Sequence, residues 1–246
     1  MKETAKPLNR EAVKYIAMFT MLLNHIGNIF LPAGGFLTEV LLAVGYFTAV
    51  TMLYFLAEGF FYTHSKKAYL KRLLLFAVLS ELPFCLAFTK EGLLEFVGFN
   101  MMFSLFLSFL LLCIQRERSR AKRLIVTVSV FVLASFSDWN ILAPVYALLF
   151  YHAHGSYEKQ KQAYTEALLF FGIFCLLNRF GILPFWKVLL FSAMDVLGMS
   201  LSALVVLKLY NGRQLPKGSA SSRFSKWFFY LFYPVHLLIL GLLRIL

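Results

Sequence analysis

Apolar stretches of about twenty residues recur along the whole chain, joined by short polar links. Each is long enough to cross a hydrocarbon core of about 30 Å. A spanning segment has no water to hydrogen-bond its backbone, and a helix satisfies its own. Hydrophobic residues make up 60% of the 246 and charged residues 15%. A soluble chain has roughly 45–50% and about 25%. The expected fold class is all-α, a polytopic integral membrane helical bundle. It is read as one domain over 1–246, because no link is long enough to hold a soluble domain.

Nine spans are expected, at about 15–32, 37–63, 73–89, 99–115, 124–137, 140–153, 164–178, 185–210 and 227–246. The two around 124–153 are short, which implies tilt or partial re-entry. Ser137-Asp138-Trp139-Asn140 reads as a tight turn between them. The start, MKETAKPLNREAVK, is polar and leads into a full-length span rather than a cleavable signal peptide.

Charge placement tests this map. With alternating sides, 20 of the 24 Lys and Arg fall on the side that holds the amino terminus. Only Lys90, Arg179, Lys187 and Arg244 fall on the other. The positive-inside rule then puts the amino terminus in the cytoplasm and the carboxyl terminus outside. The net charge of +12 is thereby explained by topology and by anionic membrane lipid, with no nucleic acid needed.

Cys85, Cys113 and Cys175 each fall inside an apolar span, without metal-ligand spacing, and no metal site is expected. No P-loop, GxGxxG, GxSxG or HExxH occurs. Chemistry must then rest on polar residues inside the spans, where an ionisable group costs at least a few kcal/mol. His25 lies about eleven residues past Lys14, roughly 16 Å in, near the midplane. Glu81, Asp195 and His236 sit at similar depths of their spans, Glu58 nearer the cytoplasmic end of the second, and Asn100 and Asp138 at outer ends. Each has a plainer role open to it. A histidine can tie two helices together, acids can pair structurally, and Asn100 and Asp138 can cap or turn.

Four stretches carry a resemblance: AMFTMLLNHIG (17–27), EGFFYTHSKKAYLKRLLLFAVLSELPF (58–84), FNMMFS (99–104) and KWFFYLFYPVHLLIL (226–240). SDWNILAPV (137–145) is a weaker fifth. With these the chain resembles the TraX family over nearly its whole length. That family is named for a factor that acetylates the amino terminus of conjugative pilin, and it belongs to a wider group of membrane acyltransferases with a first-span histidine. His25 falls on that position. The resemblance implies acyl transfer from acetyl-CoA to an amine or hydroxyl, with His25 as general base and Glu81 or Glu58 as its partner. Asn24, Asn100, Asp138, Asp195, Tyr233 and His236 would support the site or receive the acceptor. Lys66, Lys67, Lys71 and Arg72 would meet the phosphates of acetyl-CoA.

The chain also departs from the family pattern. The family has Asp-His where this chain has Asn24-His25, and Gly-Arg where it has Gly45-Tyr46. Val50 stands where the family has Pro, and Glu81 where it usually has Gln. A carboxylate has moved from the first span to the third, or the chain is a diverged relative. Two other readings stay open: a small proton-coupled transporter using the same midplane residues, and a non-catalytic envelope assembly protein. The acceptor, a peptide amine or an envelope sugar, is not written in these residues.

Overall fold

The computed structural model describes residues 6–216 and 218–246. Lys2 and Lys217, which enter the charge count above, lie outside the described residues. Among the described residues the protein is all-helical. The helices are α1 (Arg10–Phe30), α2 (Phe36–Tyr62), α3 (Lys66–Phe88), α4 (Met101–Ile114), α5 (Arg120–Ala134), α6 (Leu142–Ala153), α7 (Tyr157–Arg179), α8 (Phe185–Leu204) and α9 (Ala220–Ile245). A π-helical turn, Val205–Leu209, continues α8.

One helix falls on each apolar stretch. Three are both long and apolar enough to cross a membrane: α2, α8 with its π-turn, and α9. α4 and α6 are apolar but short, with 14 and 12 residues, or about 21 and 18 Å. Starts differ most on the basic side. α3 begins at Lys66, α7 at Tyr157 and α9 at Ala220, seven residues before the apolar stretches at 73, 164 and 227. Backbone hydrogen bonding carries each helix past the point where its side chains stop being apolar. Ser65 caps α3, accepting the Ala68 N–H, and Asn9 and Ser119 do the same for α1 and α5.

The chain forms two compact units. One consists of the described part of Met1–Met52 with Tyr157–Phe232, and the other of Leu53–Ser156 with Tyr233–Leu246.

In the first unit, close backbone approach replaces the hydrophobic driving force that lipid does not supply between helices. Gly198 of α8 lies directly on the backbone of Ala43 in α2. Gly45 of α2 lies against the Asn24 side chain of α1, whose Nδ2 donates to the Leu42 carbonyl at 3.0 Å. Hydroxyls tie the interior: Thr20 to Thr48 at 2.8 Å, Thr51 to Ser202 at 2.8 Å, and Tyr164 to Ser202 at 3.2 Å. The segment before α1 pairs with the one after the π-turn, through Leu8 N–H to the Leu209 carbonyl and Asn211 N–H to the Leu8 carbonyl.

In the second unit, α4 packs against α3, α5 and α6. Nine of its 14 residues are buried. The irregular segments at its N-terminal end satisfy one another: the Phe99 N–H donates to the Phe136 carbonyl at 2.8 Å and the Asp138 N–H to the Phe99 carbonyl at 2.7 Å. The expected turn at 137–140 is present, with Trp139 and Asn140 at φ 63° and 34° and the Asn140 N–H on the Ser137 carbonyl. Arg244 of α9 donates from Nε to the Leu86 carbonyl at 3.0 Å and from Nη2 to the Leu93 carbonyl at 3.1 Å.

Candidate functional site

A helix that begins inside protein exposes N–H groups with no partner in its own ladder. Leaving one unpaired in an apolar setting costs several kcal/mol. The start of α4 meets this with polar side chains from three helices. Asn100, fully buried, is the N-cap. Its Oδ1 accepts from the Met102 and Phe103 N–H groups at 2.9 and 3.3 Å. Its Nδ2 donates to the Ala77 carbonyl at 2.7 Å and to Glu81 Oε2 at 2.6 Å, and its own N–H adds a second bond to that oxygen at 3.3 Å. The Met101 N–H goes to the Tyr233 hydroxyl at 3.1 Å. The Tyr233 ring stands edge-on to His236, with centroids 5.8 Å apart. Ser104, one turn into α4, donates to the Ser137 hydroxyl at 3.0 Å and to the Asp138 carbonyl.

Five residues singled out from sequence thus meet in one unit: Glu81, Asn100, Asp138, Tyr233 and His236. Their shared organiser is the buried N-terminus of α4, whose partial positive charge suits the Glu81 carboxylate. Ser104 and Ser137 belong to the same knot and were not singled out. A serine inside an apolar run carries no sequence signal that separates it from one bonded to its own helix.

The remaining candidates are distributed as follows. His25 is buried on α1 in the first unit, and Glu58 is buried on α2 in the second. Asp195, on α8 in the first unit, is fully buried and paired with Arg179 Nη1 at 2.5 Å. Arg179 Nη2 also binds Glu39 Oε2 at 3.0 Å. Neither partner was assigned to Asp195 from sequence. An acid inside an apolar stretch demands a cation, and the nearest Lys and Arg in sequence to Asp195 are Lys187, Lys208 and Arg179, so the need for a counter-charge could have pointed to Arg179. Lys66, Lys67, Lys71 and Arg72 occupy the first two turns of α3. Lys67 and Lys71 are exposed, Lys66 Nζ sits 3.8 Å over the Phe60 ring, and Arg72 Nε is buried without a hydrogen-bond partner.

A model of the TraX protein family matches residues 9–244. The chain belongs to the TraX family. It is also 32% identical over 239 residues to a protein of Dichelobacter nodosus described as "Probable fimbrial assembly protein FimC, serogroup H1", covering 93% of this chain and 92% of that one. No solved structure matches.

The departures from the TraX pattern can now be located. The Asn24 amide gives its proton to a backbone carbonyl of α2, a bond that an ionised Asp cannot make. Tyr46 stands edge-on to Phe171, with centroids 4.9 Å apart. Val50 is fully buried. In this TraX chain the first two helices therefore meet through the Asn24 amide and Gly45, Tyr46 packs on α7, and neither position 24 nor position 46 carries an ion.

Burial in the α5–α6 turn raises the Asp138 carboxyl from its ordinary value to about 6, partly offset by a bond from the Trp139 N–H. Between about pH 4 and pH 6 the native protein keeps a proton that the unfolded chain has given up. Stability is then expected to fall as pH rises through that window and to level off above it. Thermal unfolding in detergent across the window should show this slope, and Asp138→Asn should flatten it. An unchanged slope in the variant would assign the effect elsewhere.

Proposed function

We propose that this TraX protein is a membrane-embedded acyltransferase. It moves an acetyl or related acyl group from acetyl-CoA to an amine or hydroxyl of an envelope or exported acceptor, with His25 as general base. The observation that carries the reading is a buried histidine on α1, at the position of the first-span histidine in a family matched over residues 9–244. An imidazole can take a proton from an attacking amine or hydroxyl near neutral pH, worth typically 10²–10⁴-fold in rate. Glu81 or Glu58 is its proposed acidic partner. Asn24, Asn100, Asp138, Asp195, Tyr233 and His236 are the proposed supporting or acceptor-site residues.

Lys66, Lys67, Lys71 and Arg72 are the proposed contacts for the phosphates of acetyl-CoA. Their place at the capped start of α3 and the unpaired Arg72 Nε support this, because a helix N-terminus with basic side chains attracts phosphate. The relative's name supports a pilin-like or fimbrial acceptor. A sugar hydroxyl fits the same chemistry.

Purified protein is expected to gain thermal stability on addition of acetyl-CoA, by about 2.7 kcal/mol at one hundred times Kd. His25→Ala should keep that gain and lose acyl transfer. Turnover at the wild-type rate in His25→Ala would end the general-base role. No stabilisation by acetyl-CoA would favour a non-catalytic assembly protein, the second reading. The amide at Asn24, in place of the family's carboxylate, is the observation that favours it.

The proposed setting is the bacterial inner membrane, crossed by all nine helices, with the amino terminus in the cytoplasm. The 20-to-4 split of Lys and Arg supports this. A reporter active only in the cytoplasm, fused after Leu246, is expected to be silent. Strong reporter activity there would overturn the map.

A further inference from the structure

Three helices of the second unit are short in the same way. α4 has 14 residues, about 21 Å, and α6 has 12, about 18 Å. The apolar part of α5, residues 124–134, comes to about 17 Å. One end of each is charged or polar: Arg116 and Arg118 follow α4, Arg120, Lys122 and Arg123 open α5, and His152 and His154 close α6. The other ends share one level, because the Phe99 backbone is hydrogen-bonded to both Phe136 and Asp138. Together they make a layer roughly 20 Å thick, against a hydrocarbon core of about 30 Å.

A shortfall of about 10 Å has few remedies. Tilting the helices would deepen it. Side chains reach out to headgroups only if they are long. The level at Asn100 and Ser137-Asp138-Trp139-Asn140 carries no Lys or Arg.

The connection from α3 to α4 lies at that level, with the Phe96 and Phe99 rings 5.2 Å apart. Residues 90–97 are all exposed. Leu93, Leu94, Phe96 and Val97 are apolar, whereas Lys90, Glu91 and Glu95 are charged. The segment is pinned: the Glu95 N–H donates to Thr89 Oγ1 at 2.9 Å, and Arg244 Nη2 to the Leu93 carbonyl at 3.1 Å. Exposed apolar and charged side chains on one fixed segment suit the boundary between acyl chains and headgroups, which offers both solvents. Phe136, beside the α5–α6 turn, is exposed at the same level.

We propose that the second unit thins the bilayer around it. Phospholipids of the leaflet opposite the basic links bring their headgroups down to residues 90–97 and to the α5–α6 turn, leaving about 20 Å of hydrocarbon around α4, α5 and α6. The inference rests on the membrane-spanning topology proposed above and not on acyl transfer. Its consequence is access. The knot of Glu81, Asn100, Asp138 and Tyr233 then stands at headgroup level, and a polar group arriving from that side meets it without crossing oil.

Tryptophan quenching in bilayers of brominated phosphatidylcholine tests this. The chain has three tryptophans, Trp139, Trp186 and Trp227. Trp186→Phe and Trp227→Phe with Phe96→Trp leaves tryptophan at positions 96 and 139, both at the proposed headgroup level. A second variant carries Val128→Trp, near the middle of the apolar part of α5, in place of Phe96→Trp. Positions 96, 128, 186 and 227 are all exposed, so neither variant disturbs packing. Bromine just below the headgroup is expected to quench the first variant several-fold more than bromine further down the chains. The second variant should gain quenching from the deeper bromine. Strongest quenching of the first variant by deep bromine would overturn the proposal, because the connection and the turn would then lie in the oil of a bilayer of full thickness. No gain in the second would overturn it through the topology, because α5 would not lie in the bilayer. Depth is read from the nearer headgroups, so the result is independent of which side is cytoplasmic, and the reporter after Leu246 settles that separately.

Discussion

Gly198→Ala is expected to prevent α8 from seating on α2. A β-carbon at position 198 would lie 1.8 Å from the Ala43 carbonyl oxygen and 2.4 Å from its carbon. Both are backbone atoms, so no side chain can rotate away, and the helices themselves must separate. Glycine to alanine inside a helix is otherwise mildly favourable, by roughly 0.5–1 kcal/mol. The clash reverses that sign, and a loss of at least about 4 kcal/mol is expected, at the extreme of single substitutions. Gly172→Ala in α7 is the control. Its β-carbon would meet only a methyl of Val196, at 3.3 Å, and the change should stay within about 1 kcal/mol of wild type. Thermal unfolding of both variants in the same detergent checks the pair. Equal midpoints would show that α2 and α8 do not approach as closely as described.

Arg179→Met should be nearly as damaging, for a different reason. Methionine fills much of the same space but leaves Glu39 and Asp195 facing each other without a cation. Removing one member of a buried ion pair typically costs 3–5 kcal/mol, because the charge left behind is uncompensated. Replacing all the ionic members together with well-packed apolar residues is often close to neutral. The triple variant Arg179→Met, Glu39→Met, Asp195→Leu is therefore expected to regain most of the loss. Its unfolding midpoint should lie nearer wild type than that of Arg179→Met. A triple variant no better than the single would mean that Arg179 acts through its packing and not through its charge.

The fold was legible because the medium leaves so few options. Each apolar stretch became a helix, and three of these, α2, α8 with its π-turn and α9, are long and apolar enough to cross a membrane. The ends were less legible where the chain is basic. At Lys66, Tyr157 and Ala220 the helix starts two turns early, because hydropathy reports where oil ends and the hydrogen-bond ladder does not end there. The knot around Asn100 was legible only as separate residues. Glu81, Asn100 and Tyr233 each read as an isolated polar group at some depth. What joins them is a set of backbone N–H groups at the start of α4, which every helix possesses and no sequence pattern displays. Arg179 was legible only as one of four Lys and Arg on the expected outer side, since its position at the end of an apolar stretch says nothing about how far its side chain reaches inward.

The cap on α4 also has a consequence for synthesis. The Met101 N–H is satisfied by a hydroxyl 132 positions further along the chain, and the Leu86 carbonyl by a guanidinium 158 positions further on. At roughly 5–20 residues per second, a ribosome delivers those partners on the order of ten seconds later. For that interval α3 and α4 exist without the groups that complete them. The second unit cannot mature in the order in which it is made. Its earliest helices must be held by water or by the insertion machinery until α9 arrives, and a ribosome stalled before Tyr233 would leave them waiting.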